Sequence, residues 1–189
     1  MTDLANNPSR RLFFALALPR SRQQHIIQWR ADHFPEETGR PIAAANLHLT
    51  LAFLGEVSEQ KSQALRQLAG RIEQPAFTVT LDDLGHWPGS GVVWLGCKQA
   101  PRGLLQLAEL LRSQAARSGC YQNPMPFHPH VTLFRHATRP VNLPPKVDAG
   151  QFTPSQFSLY ESVYSRGRTR YKVIQSWPLG EKKRKQDAI

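Results

Sequence analysis

Two short stretches about 80 residues apart constrain this 189-residue chain more than anything else in it. Asn46-Leu47-His48-Leu49-Thr50-Leu51-Ala52-Phe53-Leu54 and His130-Val131-Thr132-Leu133-Phe134-Arg135 each alternate with the period of two that a half-buried strand requires. In the first, Leu47, Leu49, Leu51 and Phe53 are predicted on one face, with His48 and Thr50 on the other. In the second, Val131 and Leu133 back a face that carries His130 and Thr132. Each strand thus presents an imidazole beside a hydroxyl, held from behind by aliphatic side chains, and two such pairs can line one cleft. A third His-x-Thr, His136-Ala137-Thr138, lacks the aliphatic alternation, runs into Arg139-Pro140 and reads as a turn.

The remaining pattern supplies a scaffold. A buried strand over 11–18 stops at Pro19, and Ser21 with Gln24 matches a capping box that opens a helix to about Phe34. Ser58 is the expected N-cap of a second helix carrying Leu65, Leu68 and Ile72. Strands are expected at 76–81 and 91–97, joined as a hairpin across a loop holding Gly85, Pro88 and Gly89. A third helix runs from Pro101 to Gly119 with Leu104, Leu107, Leu111 and Ala115 on one stripe. A proline-rich connection at 140–145 precedes two late strands, roughly 156–163 and 169–177. Helices interspersed with strands, and one motif strand in each half, predict an α+β fold. Two pseudo-symmetric lobes are expected, each a small, mainly antiparallel sheet with outer helices, around a central cleft. Residues 1–180 form a single bilobal domain in this reading, and 181–189 a basic C-terminal tail.

Twenty-four Lys and Arg against 14 Asp and Glu give a net charge of +10, which favours an anionic partner such as RNA or a nucleotide. No apolar run approaches the ~18 residues of a membrane span, and the N-terminus lacks a basic segment followed by an apolar core. Cys97 and Cys120 match neither a zinc ligand set nor a disulfide framework. A reduced cytoplasmic protein, acting as a monomer away from membranes, is expected.

Several residues remain open at this stage. His128, His130 and His136 suggest a metal site, but no carboxylate nearby completes a usual ligand set. His25, His33 and His86 read as surface or helix-face residues, and the two cysteines as small buried side chains. Strict alternation puts Arg135 on the Val131 face, and a twist at the strand end would turn it towards the cleft. Arg166, Arg168 and Arg170 form either a basic rim or a charged turn. Phe13 and Phe14 point to opposite strand faces, so one is core and the other free to stack on a base; Phe14 is taken as the candidate.

Four segments together carry a family resemblance: Arg11-Leu12-Phe13-Phe14-Ala15, the stretch from Asn46 to Gly55, Phe127-His128-Pro129-His130-Val131-Thr132-Leu133, and Ser165-Arg166-Gly167-Arg168-Thr169-Arg170-Tyr171. The chain resembles the 2H phosphoesterase superfamily, and within it the bacterial RNA 2′,3′-cyclic phosphodiesterases historically termed 2′-5′ RNA ligases. The resemblance implies a pseudo-twofold cleft, no metal or other cofactor, and hydrolysis of a terminal 2′,3′-cyclic phosphate to a 2′-phosphomonoester. Weak, reversible 2′-5′ joining of RNA ends is an implied side activity. It assigns proton donation to His48, proton acceptance to His130, and phosphate contacts to Thr50 and Thr132. Arg135, Phe14 and Arg168 are added as candidate substrate contacts.

The chemistry agrees. Opening a cyclic phosphate with water needs one proton removed and another delivered, and imidazole titrates nearest working pH. Hydroxyls fixed on strands can meet charge developing on phosphoryl oxygens. A non-catalytic RNA or nucleotide binder using the same basic cleft is the alternative reading.

Overall fold

The computed structural model describes residues 8–180, so the expected tail at 181–189 lies outside the described residues. Ten strands and three α-helices follow one another: β1 (Arg10–Ala17), α1 (Arg20–His33), β2 (Arg40–Pro41), β3 (His48–Val57), α2 (Glu59–Gly70), β4 (Val79–Thr80), β5 (Asp83–Trp87), β6 (Val92–Gly96), α3 (Arg102–Arg117), β7 (His130–Arg135), β8 (Gln151–Phe152), β9 (Gln156–Ser165) and β10 (Arg168–Pro178). The main sheet runs β10-β9-β1-β3-β7-β6-β5, with β2 added beside β7, and its assigned neighbours pair antiparallel. The two motif strands lie at its centre. They pair through one residue couple, Leu49 with Val131, and that couple joins a β10-β9-β1-β3 half to a β7-β6-β5 half.

One face of this sheet is the core. Leu49, Leu51, Val131 and Leu133 pack there with Ile26 of α1, Leu65 of α2, and Leu104, Leu107 and Leu111 of α3. Each such side chain, taken from water, contributes about 1.5–3 kcal/mol. A one-residue slip of either motif strand would expose that whole set, so burial itself fixes which way His48 and His130 look. A separate small cluster of Phe13, Ala15 and Tyr160, with Tyr171 against it, sits on the opposite face.

Four local expectations are corrected. α1 starts at Arg20 behind Pro19 with no side-chain cap, so Ser21 and Gln24 form no capping box, and the Gln23 side chain instead donates to the Leu18 carbonyl at 3.1 Å. Proline pre-sets the entry dihedral and makes a hydroxyl cap dispensable. The 76–81 strand shrinks to Val79–Thr80, which pairs with β8 instead of 91–97. The hairpin partner of β6 is Asp83–Trp87, a segment read as loop because of Gly85. Leu68 is replaced on the buried side of α2 by Ser62, Leu65 and Ala69. Ser58 does cap α2, accepting from the Lys61 N–H at 3.2 Å, and the apolar stripe of α3 is buried as read.

Candidate active site

Antiparallel pairing at Leu49–Val131, carried one residue either way, sets His48 opposite Thr132 and Thr50 opposite His130. Residues facing one another in this way lie about 4.5–5.5 Å apart by Cα. The two His-Thr pairs therefore form a diamond around a local twofold axis, on the face turned away from the core. His48 feels the charge of His130 across it.

The rings are held alike. Nδ1 of His48 donates to the Asn46 carbonyl at 2.7 Å, and Nδ1 of His130 to the His128 carbonyl at 2.8 Å, each two residues back, just before its strand begins. A carbonyl only accepts, so Nδ1 carries the hydrogen and Nε2 is the reactive nitrogen in both. His48 Nε2 accepts the Thr50 hydroxyl at 2.9 Å. Asn46 is in turn pinned, its amide donating to the Thr169 carbonyl at 3.0 Å.

Burial pulls the His48 pKa down to about 4, against the Asn46 hydrogen bond and with help from the positive charges of Arg135 and His130. His130 is lowered as well, chiefly by burial, with His128 and Arg135 adding to the effect. Both rings thus feel the Arg135 charge, although strict alternation places that residue with Val131. The reason is a β-bulge: Val93 pairs with Phe134 and Trp94 with Thr132, leaving Leu133 as the extra residue. Leu133 and Phe134 are both buried, and the next residue returns to the cleft. β3 has the same device at the same offset from its histidine. Phe14 pairs with Ala52 and Ala15 with Thr50, so Leu51 is the extra residue. Phe53, expected in the core with Leu51, is therefore 63% exposed and lies 6.1 Å from the Phe13 ring on the His48 side.

Phe14 is likewise corrected. It is buried among Phe157 and Trp177 in the main core. Phe13, sharing a face with Ala15 and Ala17, packs 5.2 Å from His48. Arg168 is exposed and, three positions from Tyr171, has the opposite alternation to the residue that touches His48 at 4.9 Å between ring centroids, so it is not brought to the diamond. Its neighbour Gly167 accepts from Arg40 at 3.4 Å, which ties the hairpin tip to the β2 side. The described residues contain no group of three metal-ligating side chains, so His128, His130 and His136 do not converge as a ligand set. His86 is bound to the Ala137 carbonyl at 2.6 Å and His33 to the Trp29 carbonyl at 2.8 Å.

The sequence reading missed a set of aromatic rings. Tyr171 packs against His48, and Phe53 against the Phe13 ring beside it; Trp87 and His128 flank His130, the Trp87 ring 4.9 Å from it and nearly perpendicular. The buried Trp94 ring packs against both, tilted to Trp87 at 5.2 Å and edge to face with His128 at 4.4 Å. It fits because Gly85 and Gly96 flank it without side chains: a Cβ on Gly85 would overlap Trp94 Cζ2, and one on Gly96 would stand 2.9 Å from Cζ3. Two glycines bracketing a tryptophan at alternate positions of β5 and β6 is the signal that was available in the sequence. Gly85→Ala is expected to cost about 1–3 kcal/mol by overpacking, whereas Gly89→Ala, with nothing within 4 Å, stays within about 0.5 kcal/mol. Denaturant unfolding of the two variants checks this.

Comparison with known proteins bears on this geometry. The family model described as "2'-5' RNA ligase superfamily" matches residues 18–161. The RNA 2′,3′-cyclic phosphodiesterase of Escherichia coli (strain K12) is 60% identical over 169 residues, 89% of this chain and 96% of that one. A protein of the same name from Thermus thermophilus is 31% identical over 190 residues, covering 93% of this chain and 94% of its own. The crystal structure of E. coli LigT complexed with 3′-AMP superposes with a TM-score of 0.88 at 58% identity, over 92% of this chain and 99% of that one. The sheet, the paired His-Thr strands and these matches agree: this chain belongs to the 2′-5′ RNA ligase superfamily of 2H phosphoesterases.

Proposed function

We propose that this chain is an RNA 2′,3′-cyclic phosphodiesterase, an enzyme that hydrolyses the cyclic phosphate at an RNA end or on a nucleotide to a 2′-phosphomonoester. The observation that carries the reading is the matched anchoring of the two rings, each with Nδ1 spent on the main chain and Nε2 left for chemistry. Identities of 60% and 31% to two proteins named for this activity support it.

His130 Nε2 takes a proton from water as the oxygen attacks phosphorus. The P–O3′ bond breaks on the opposite side, and His48 Nε2 gives its proton to the departing O3′. One bond forms, one breaks, and the pair ends with its proton moved from one ring to the other. Thr50, Thr132 and Arg135 hold the non-bridging oxygens, where charge gathers in the transition state. The cyclic ribose lies on the leaving-group side, beside His48, where Phe53 and Tyr171 offer rings to its base. The same step run with a 5′-hydroxyl in place of water joins two ends through a 2′-5′ bond. Both histidines come from one chain, so a monomer suffices, and the free Cys97 and Cys120 suit the reducing cytoplasm.

An oligonucleotide ending in a 2′,3′-cyclic phosphate, incubated with the protein in excess EDTA, is expected to give the 2′-phosphomonoester only. Mapping the product by nuclease digestion and chromatography decides the matter. A 3′-monoester, a need for added metal, or binding without turnover refutes the reading.

A further inference from the structure

We infer that Trp87 and His128 form a second nucleoside subsite, which receives the 5′-hydroxyl RNA strand on the side of His130. This rests on the proposed in-line reaction and extends it to the group that takes the place of water.

The two halves of the cleft share a scaffold and differ in what they present. Beside Thr50 and His48, β1 supplies the small side chains Ala15 and Ala17. Beside Thr132 and His130, the equivalent positions of β6 are Trp94 and Gly96. Trp94 is buried, so it cannot itself meet a ligand broadly, but it forms a floor 5.2 Å from Trp87 and 4.4 Å from His128. Trp87 is only partly buried, His128 is exposed, and the two rings meet edge to face at 5.2 Å. Water needs no such surface. An attacking oxygen that carries a ribose and a base does, because in-line displacement puts the attacker opposite the leaving group, over the half of the cleft that holds its general base. A base attached there extends towards the accessible rings of that half, and stacking on them is tolerant of base identity.

The reaction balances in both directions. In joining, the 5′-hydroxyl proton goes to His130 Nε2, the O5′–P bond forms, P–O3′ breaks and His48 protonates O3′. In cleavage of a 2′-5′ dinucleotide, the 3′-hydroxyl gives its proton to His48, attacks phosphorus, and O5′ leaves with the proton from His130, regenerating the cyclic phosphate.

The full chain is assayed on 2′-5′-linked adenylyl-adenosine, which fills both sides, and on 2′,3′-cyclic AMP, which fills one. Trp87 touches His130, so Trp87→Ala slows both reactions, and the readout is the ratio of their kcat/KM values. The ratio is expected to fall tenfold or more in Trp87→Ala, and Trp87→Phe is expected to keep it within threefold of the unchanged protein. An equal loss on both substrates would mean that Trp87 only positions His130, and would overturn the subsite. So would failure of the unchanged protein to cleave the dinucleotide while it still hydrolyses 2′,3′-cyclic AMP. Inactivity on both substrates would instead overturn the phosphodiesterase reading itself.

Discussion

His130→Ala lowers kcat on 2′,3′-cyclic AMP by about 10²–10⁴-fold, and His48→Ala does the same. Each ring handles one of the two protons, through the Nε2 that its main-chain tether leaves unprotonated. Combining the two changes is expected to cost far less than the product of the single losses, because one proton-transfer step fails either way. Inorganic phosphate binding should persist in both variants through the two threonines and Arg135, which separates a lost acid or base from a lost fold. Steady-state kinetics with a phosphate titration checks this, and turnover that survives His130→Ala within tenfold would reassign the base.

The second large effect is with pH. With a pKa of about 4, His48 is almost wholly neutral in the free protein at neutral pH, leaving roughly 10⁻³ of the molecules with the donor proton at pH 7. Since kcat/KM reports the free enzyme, it is expected to fall about tenfold per pH unit from the lowered pKa of His130, above which the base is neutral, to roughly pH 8. The profile of kcat is expected to bend at higher pH, because an anionic phosphate favours the imidazolium beside it. A flat kcat/KM through pH 7 would show that the free protein already keeps this proton. Stability moves the other way. The folded pKa lies below the ordinary 6.5, so between about pH 4 and 6.5 the unfolded chain binds more protons. The contribution is complete above pH 6.5 and is lost as pH falls to 4. It amounts to about 3 kcal/mol at most, trimmed by the ring's partial contact with solvent.

Period-two alternation was enough to put His48, Thr50, His130 and Thr132 on the face away from the core, because the aliphatic residues behind them leave no other register. It failed at Phe53 and Arg135 for one physical cause. An extra residue at Leu51 and at Leu133 reverses the alternation, and each bulge is visible only once the partner strand is known. Phe14 and Phe13 could not be told apart locally; the choice depends on which face meets Phe157 and Trp177, far along the chain. β5 was hidden because Gly85 looks like a turn residue, whereas its purpose is to admit the Trp94 ring. Three of the rings around the histidines, Trp87, Trp94 and Tyr171, come from β5, β6 and β10, and nothing near the motifs in sequence announces them.

Both imidazoles are tethered to carbonyl oxygens two residues before them, and among the described residues no carboxylate is bonded to either one. An Asp or Glu partner would keep an imidazolium charged in the empty cleft; a neutral tether does not. The acid is therefore assembled only when an anion arrives to sustain it, so an uncharged nucleoside or a plain hydroxyl terminus enters an idle enzyme. A monoester product, more highly charged than the diester, favours the same imidazolium more strongly.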